Sequence, residues 1–584
     1  MVREIITLQL GHCANFVGTH YWNTQAKHLE STSDEVDYDV LYRTGENYKG
    51  ELTYTPRLVV CDLKGSLGTL RQAGELYEPS EGERKAHAWN GKMEVFESEP
   101  IQKNQYLKAL DDPNSIYRPT YASDLSRNVK VWSDFNSLYY HPTTIYELTT
   151  HTHGDENNRF LLHSRGREVY QELAMDETLM DYRIRAFMEE SDNPQGFQVF
   201  MDTFDGFSGI AAATLESLSE EYSKKDRVVF GISQPKNAQL PREQQLVQNI
   251  NQALTLKCMS EYSNLYIPMR TANSADYESG RWRSNLKRHE NIYEWSGYLA
   301  AAIETATLPF CLKTESHIDM HDLAGLLNPH SSTSVAALSF GFPLAPPVFR
   351  DIPISSIFNT VGKSHKFEGA WDLTLGTPYD LMDPTTPRSF SVFRGLASVL
   401  QSQRPSSEGN PPYTSTQITE ELTNFIKSNG PMFAKSTILQ TPFLVNPSFP
   451  QMFGPRITST GLAVNVSSKE AEEQMNQEKN ASPVTVLQCA TYARFHSGPC
   501  LRRLFENAAT SLHISPLNNW VYSDFATGQF GLDRSDFAAI REALQDLSDS
   551  YGEGDMGMMG SIVLALERWK LFGHLAQKNL QDSC

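Results

Sequence analysis

Met1-Val2-Arg3-Glu4-Ile5-Ile6-Thr7-Leu8-Gln9-Leu10-Gly11-His12-Cys13-Ala14-Asn15-Phe16-Val17-Gly18-Thr19-His20-Tyr21-Trp22 opens the chain and decides its fold. Ile6, Leu8 and Leu10 alternate with Thr7 and Gln9, the period of a strand; the pattern breaks at Gly11 and resumes as a helix-compatible run to Trp22. A strand, a tight turn and a helix start aim backbone N–H groups at an anion. Three more strands are readable. Arg57 to Leu63 is a continuous apolar run with an acid near its end, as expected of a strand covered on both faces. Gly196 to Met201 leads through a glycine-containing turn into a helix over Ile210 to Tyr222, and Arg227 to Ser233 closes the set. Strands alternating with helices predict a parallel α/β sheet whose ligand lies at the strands' carboxyl ends.

The chain of 584 residues is too long for one small core. With 51 basic and 70 acidic residues its formal charge is −19, which disfavours a nucleic-acid partner and purely electrostatic docking on anionic lipid. Cys13, Cys61, Cys258, Cys311, Cys489, Cys500 and Cys584 are scattered and form no Cys-x-x-Cys, so neither a disulfide framework nor a zinc knuckle is indicated. A reduced cytosolic location is expected, and no secretory signal is read at the start. The most apolar stretches, Ser334 to Phe349 and Met556 to Trp569, are short or interrupted, below the ~20 apolar residues that cross a bilayer. Membrane association is therefore expected to be peripheral.

The domain reading places an N-terminal sheet domain over 1–290, with a polar insertion at about 78–134 read as mostly loop. Ile292, Trp295, Leu299, Ile303 and Ala306 recur at spacings of three and four, predicting an amphipathic helix over Asn291 to Phe310. A second domain follows over 311–500, with a loop at Gln403 to Ser415. A helical region over 501–584 has helices at Ser535 to Tyr551 and Gly560 to Ala576 around the turn Gly552 to Gly560.

These segments resemble tubulins. Gly11-His12-Cys13-Ala14-Asn15-Phe16 stands where tubulins have Gly-Gln-Cys-Gly-Asn-Gln, and Tyr54-Thr55-Pro56-Arg57 through Asp62-Leu63 resembles their Tyr-x-Pro-Arg-x-x-x-x-Asp-Leu. Gln195-Gly196-Phe197-Gln198 matches the approach to their phosphate loop, and Phe340-Gly341-Phe342-Pro343-Leu344-Ala345 looks like Pro-Gly-Phe-Ala-Pro-Leu of their second domain. The set Gly11-His12, Tyr42-Arg43-Thr44-Gly45, Asp62-Leu63-Lys64-Gly65-Ser66-Leu67, Val131-Trp132-Ser133-Asp134-Phe135 and Asp205-Gly206-Phe207-Ser208-Gly209 is more specific, and is similar to the Misato family. That resemblance implies a tubulin-like fold: a parallel Rossmann-like nucleotide-binding-type sheet, a central helix, a second α+β domain and C-terminal helices. It also implies a role in mitochondrial distribution, morphology and fusion, in the cytoplasm and at the mitochondrial outer membrane.

By the same resemblance, a nucleotide pocket would be built from Gly11, His12, Cys13, Asn15, Asp62, Lys64, Gly206, Ser208 and Gly209, with GTP or GDP as its cofactor. The residues depart from the tubulin pattern. The phosphate loop Gly-Gly-Gly-Thr-Gly-Ser-Gly becomes Phe204-Asp205-Gly206-Phe207-Ser208-Gly209-Ile210, which puts a carboxylate and a bulky ring at phosphate-facing positions, and Lys64 replaces the acid that helps hold magnesium. Lys64 reads either as a substitute for that cation or as a solvated lysine on a turn. Asp319 in His317-Ile318-Asp319 fills the position of the hydrolytic acid, and reads either as a general base or as a helix cap. His151, His153 and Asp155, and likewise His317, Asp319 and His321, are close in sequence, but the polar surroundings of the first set read as a surface loop and no metal site is expected at either.

The expectation is thus a non-catalytic, degenerate GTPase with protein partners at the mitochondrial outer surface or the cytoskeleton. Two alternatives stand beside it: an active, polymerising GTPase, and a tubulin-binding assembly factor.

Overall fold

The computed structural model describes residues 3–31, 34–47, 49–70, 76, 101–112, 125–174, 179–235, 240–272, 286, 289, 291–314, 316–329, 333–344, 370–378, 388–401, 414–429, 433–454, 457–459, 461, 486–513 and 520–551. The first sheet is built from β1 (Ile5–Leu10), β4 (Leu58–Lys64), β5 (Ile145–Thr152), β6 (Gly196–Asp202), β7 (Asp226–Ile232) and β8 (Leu265–Met269). Its order is β5-β4-β1-β6-β7-β8 and every pairing is parallel. Between β1 and β4 lies a separate antiparallel hairpin, β2 (Tyr42–Glu46) with β3 (Leu52–Pro56).

Both faces of the parallel sheet are covered. Leu8, Val59 and Val199 point into one core, while Leu58, Val60 and Phe200 point into the other. Thr7 and Gln9, the polar partners in the opening alternation, are therefore buried too. Helix α1 (His12–Ser31) lies so close over them that a Cβ on Gly18 would come within 2.0 Å of Gln9 Nε2. The run Cys13 to Gln25 is buried on every side. Three of its polar side chains are bonded inward: Thr19 and Thr24 donate to carbonyls one turn back, and Asn23 Nδ2 donates to Phe135 O and Ser448 Oγ, each at 2.8 Å.

The expected central helix is α6 (Ile292–Thr307), after α2 (Gln105–Asp111), α3 (His163–Ala174), α4 (Phe207–Glu221) and α5 (Arg242–Tyr262). Asn291 Oδ1 accepts from the Glu294 amide and starts the helix. Trp295 and Leu299 are buried, and α6 packs against α1 on one side and the second sheet on the other. At that junction Arg394, Glu304 and His28 are all buried. Arg394 pairs with Glu304, and its other guanidinium nitrogen donates to His28 Nε2 at 2.6 Å. Burial and the Arg394 charge hold His28 well below its ordinary range, so it stays a neutral acceptor.

The second domain is a mixed sheet of β9 (Ala337–Gly341), β10 (Ala370–Asp372), β11 (Thr377–Pro378), β12 (Arg388–Arg394), β13 (Phe433–Leu439) and β16 (Thr491–Ser497), preceded by α7 (Met320–Leu327). Its order is β11-β10-β9-β16-β12-β13, antiparallel except between β12 and β13. The short pair β14 (Phe443–Leu444) and β15 (Gln488–Cys489) stands apart from it. Helices α8 (Arg502–Ser511), α9 (Trp520–Phe525) and α10 (534–551) place Phe505, Val521, Phe525, Phe537 and Leu544 in the core that α5 also fills. The structure is thus the expected α/β sheet domain, central helix, second α+β domain and C-terminal helices.

Three details differ from the sequence reading. β5 and β8 complete the first sheet and carry too few contrasting residues to stand out. The insertion contains α2, and its distal end is core: Trp132 and Phe135 are fully buried. The opening helix runs on past Trp22 to Ser31. The segments 78–100, 403–413 and 552–584 lie outside the described residues.

Candidate functional site

The carboxyl ends of β1, β4 and β6 converge on the start of α1, where the turn was expected to face an anion. Strand register decides what lies there. Leu10 pairs with Met201, so the next residues, Gly11 and Asp202, are brought side by side. Gly11 has φ +118°, and a Cβ on it would stand 2.6 Å from Asp202 Cγ, so only glycine fits. The Asp202 carboxylate takes the seat itself: the amide of Cys13 donates to Oδ2 at 2.9 Å and that of Ala14 to Oδ1 at 2.7 Å. These are the orphan N–H groups of a helix N-terminus, and a buried side chain of the same chain satisfies them.

Asp62, at the end of β4, is a second buried carboxylate. Its Oδ2 accepts from Asn15 Nδ2 and Trp132 Nε1 at 2.9 Å each and from His12 Nδ1 at 3.2 Å; Oδ1 accepts from the Leu63 amide at 2.7 Å. Burial pushes this acid up, but the His12 charge and these donors outweigh it and hold it below its ordinary value. Asp202 goes the other way. Burial, then repulsion from Asp205, raise it well above the carboxylate range against its two amide bonds. Asp205 is likewise raised, chiefly by burial, and its Oδ1 accepts from the Phe207 amide at 3.0 Å.

The phosphate-loop segment has been rebuilt as a packing joint. Phe207 does not intrude on the phosphate position as its sequence place suggested: its ring is buried and meets Phe160 edge-on at 5.3 Å. Gly206 and Gly209 are present because neighbours press on them. A Cβ on Gly206 would be 2.7 Å from the Phe160 ring, and one on Gly209 would be 1.9 Å from His163 O. Ser208 Oγ donates to Asp205 O at 2.6 Å and lies 3.0 Å from His163 Nδ1. Burial then the Arg167 charge lower His163 to about 3, so it is neutral there.

The remaining candidates lie at the rim or elsewhere. Cys13 is buried, accepts from Gln234 Nε2 at 3.5 Å, and is pushed up by burial, so its thiol is inert. The His12 ring is part-exposed and stacks against His153 at 4.1 Å between centroids. His153 is lowered by burial and by His12. Lys64 is exposed at the bulge between β4 and β5, the setting of the solvated-lysine reading. Asp319 is at the opposite, amino-terminal edge of the sheet, where it accepts from the Asp322 amide at 2.8 Å as the cap of α7 and pairs with Arg3 at 2.5 Å. It does not meet the other site residues within one chain. No group of three or more His, Cys, Asp or Glu side chains able to hold a metal ion occurs among the described residues.

The fit to a guanine nucleotide is therefore poor. The structure brings Gly11, His12, Cys13, Asn15 and Asp62 together, but the Asp202 carboxyl fills their anion seat, and the Asp62 carboxylate and the Asp205 carboxyl face the same space. Each charge pair between a carboxylate and a phosphate at ~5 Å and an effective dielectric of ~20 is unfavourable by roughly 3 kcal/mol. The sequence reading missed Asp202. Its signal was an acid closing an otherwise apolar strand, two residues before the turn.

Residues 3–112 match the Misato Segment II tubulin-like domain, and residues 122–312 match the Tubulin domain. Protein misato homolog 1 of Macaca fascicularis is 30% identical over 95% of this chain and 98% of its own length, and the Homo sapiens protein of that name is 29% identical with the same coverage. Protein dml1 of Aspergillus clavatus is 33% identical over 53% of this chain and 61% of its own length. With its parallel sheet, central helix and second domain, the chain belongs to the Misato family of tubulin-like proteins.

Proposed function

We propose that this protein is a non-catalytic, tubulin-like pseudo-GTPase that acts through protein partners and supports mitochondrial distribution, morphology and fusion. One observation carries the non-catalytic part: the Asp202 carboxylate sits on the Cys13 and Ala14 amides where a phosphate would have to sit. A phosphate entering that seat must displace a bonded carboxylate and then lie beside Asp62 and Asp205, with Lys64 in place of a magnesium-binding acid. The mitochondrial part is supported by family membership. Its setting is the cytoplasm and the mitochondrial outer membrane, where the protein is held peripherally by partners there or on the cytoskeleton.

Nucleotide chromatography of the supernatant from heat-denatured, freshly purified protein tests the reading. Far less than one guanine nucleotide per chain is expected, and stoichiometric GTP or GDP contradicts it.

A further inference from the structure

The second sheet holds an arrangement that the nucleotide-site argument leaves unused. Asp372, at the end of β10, His496 on β16 and Ser339 on β9 are buried together. The amides of Thr374 and Leu375 donate to Asp372 Oδ1 at 2.9 and 2.7 Å and fix the carboxylate. Its Oδ2 lies 3.0 Å from His496 Nε2 and 3.4 Å from Ser339 Oγ, which donates to it. A carboxylate oxygen only accepts, so the proton of the imidazole belongs on Nε2, and in the neutral ring Nδ1 is left with a lone pair.

That Nδ1 lies 3.9 Å from the Sγ of Cys500, whose thiol can donate either to it or to Gly498 O at 3.8 Å. Cys500 is half-buried in the turn Pro499–Leu501 that leads from β16 into α8, four residues after the histidine. Thiol, imidazole and carboxylate are thus aligned in the order that lets the ring take the thiol proton while the acid holds its tautomer. Ser339 is not the nucleophile of this set, because its Oγ shares the Nε2 side with the carboxylate at 3.1 Å. The other described thiols differ. Burial raises Cys13, Cys61, Cys258, Cys311 and Cys489, and none of them shows a histidine contact among the described residues.

We propose that Cys500 is a nucleophilic thiol, activated by His496 and oriented by Asp372, whose reactants are small uncharged electrophiles of the hydroperoxide class. In the step, His496 Nδ1 accepts the thiol proton and Sγ attacks the terminal peroxide oxygen. The S–O bond forms as the O–O bond breaks, and the departing hydroxide of hydrogen peroxide, or alkoxide of an organic hydroperoxide, takes the proton from His496 to leave as water or alcohol. The thiol is oxidised to a sulfenic acid and the peroxide is reduced. Among the described residues Tyr551 of α10 also faces Cys500; burial pushes its phenol up, and its hydroxyl donates to Val335 O and accepts from Val335 N. It stays neutral through the step.

Iodoacetamide labelling of the full-length protein at pH 7, quantified peptide by peptide by mass spectrometry, tests the proposal. Native Cys500 is expected to label roughly 10-fold faster than the same cysteine in urea-unfolded protein. Prior hydrogen peroxide should block that labelling, dithiothreitol should restore it, and His496→Gln should abolish the advantage. Native labelling slower than unfolded labelling, or a folded His496→Gln protein with an unchanged rate, overturns the proposal. Where His496→Gln does not fold, the wild-type rate profile decides. A rate nearly level from pH 6.5 to 8.5 supports activation, and one rising about tenfold per unit toward an ordinary thiol value of ~8.5 refutes it.

Discussion

A helix that begins at the end of a buried strand presents amide hydrogens that must be bonded to something. Here the partner is Asp202, and at the residue scale the proton it holds has consequences for stability. Asp202 and Asp205 are both raised, so the folded state holds protons that the unfolded chain releases at its ordinary carboxylate value. Their favourable contribution is full in acid and is lost as pH rises through their shifted range. His20 and His163, each lowered to about 3 by burial, act in the opposite sense. Their contribution is present above the unfolded histidine value and is lost as pH falls below about 6.5, by up to about 1.4 kcal/mol per unit for each ring. Urea unfolding between pH 5 and 8.5 should therefore show a stability maximum between the two limbs. Asp205, raised to about 7, loses its contribution between the ordinary carboxylate value and about pH 7, against the rise that the histidines give there, so Asp205→Asn should steepen the acid limb and His163→Asn should flatten it. A variant with the wild-type slope on that limb would show that the group named is not responsible.

At the scale of elements, the account rests on α6 as the strut between the two sheets. Leu299 is fully buried in it, and Leu299→Asp would place an unpaired carboxylate there, costing several kcal/mol against a total of ~5 to 15. The expected outcome is insoluble protein or loss of a cooperative melt by circular dichroism, and a soluble variant melting near wild type would refute the placement. The three-and-four spacing from Ile292 to Ala306 made this helix legible, because one apolar stripe is what a packed helix needs. Likewise Ile6, Leu8 and Leu10 announced β1. The burial of Thr7 and Gln9 was not legible there, since alternation is also the pattern of a strand with one wet face whereas this sheet is covered on both. Phe207 misled for a related reason: a motif position states where a residue falls along the chain, and its ring had turned into the core against Phe160. Asp202 stood out only as an acid closing a strand; its role was not legible because its partner amides come from a turn 188 and 189 residues earlier, and only strand register joins them.

For the whole molecule, the formal charge of −19 sets the terms of association. No described helix is long and apolar enough to cross a membrane, and an acidic surface gains little from anionic lipid. A specific partner or local patch must supply the proposed attachment to mitochondria. Part of the protein is expected to co-purify with mitochondria, to be released by alkaline carbonate, and to be digested by protease added outside intact organelles. Retention in the carbonate pellet, or resistance to that protease, would contradict the peripheral outer-surface model.

Calorimetric titration of nucleotide-free protein with GTP, in the presence and absence of magnesium, tests the central claim that the phosphate seat is occupied from within. The account predicts no binding in the submicromolar range and no gain from magnesium, because Asp202 must first be displaced beside Asp62 and Asp205. Tight, magnesium-dependent binding by the wild-type chain would contradict it.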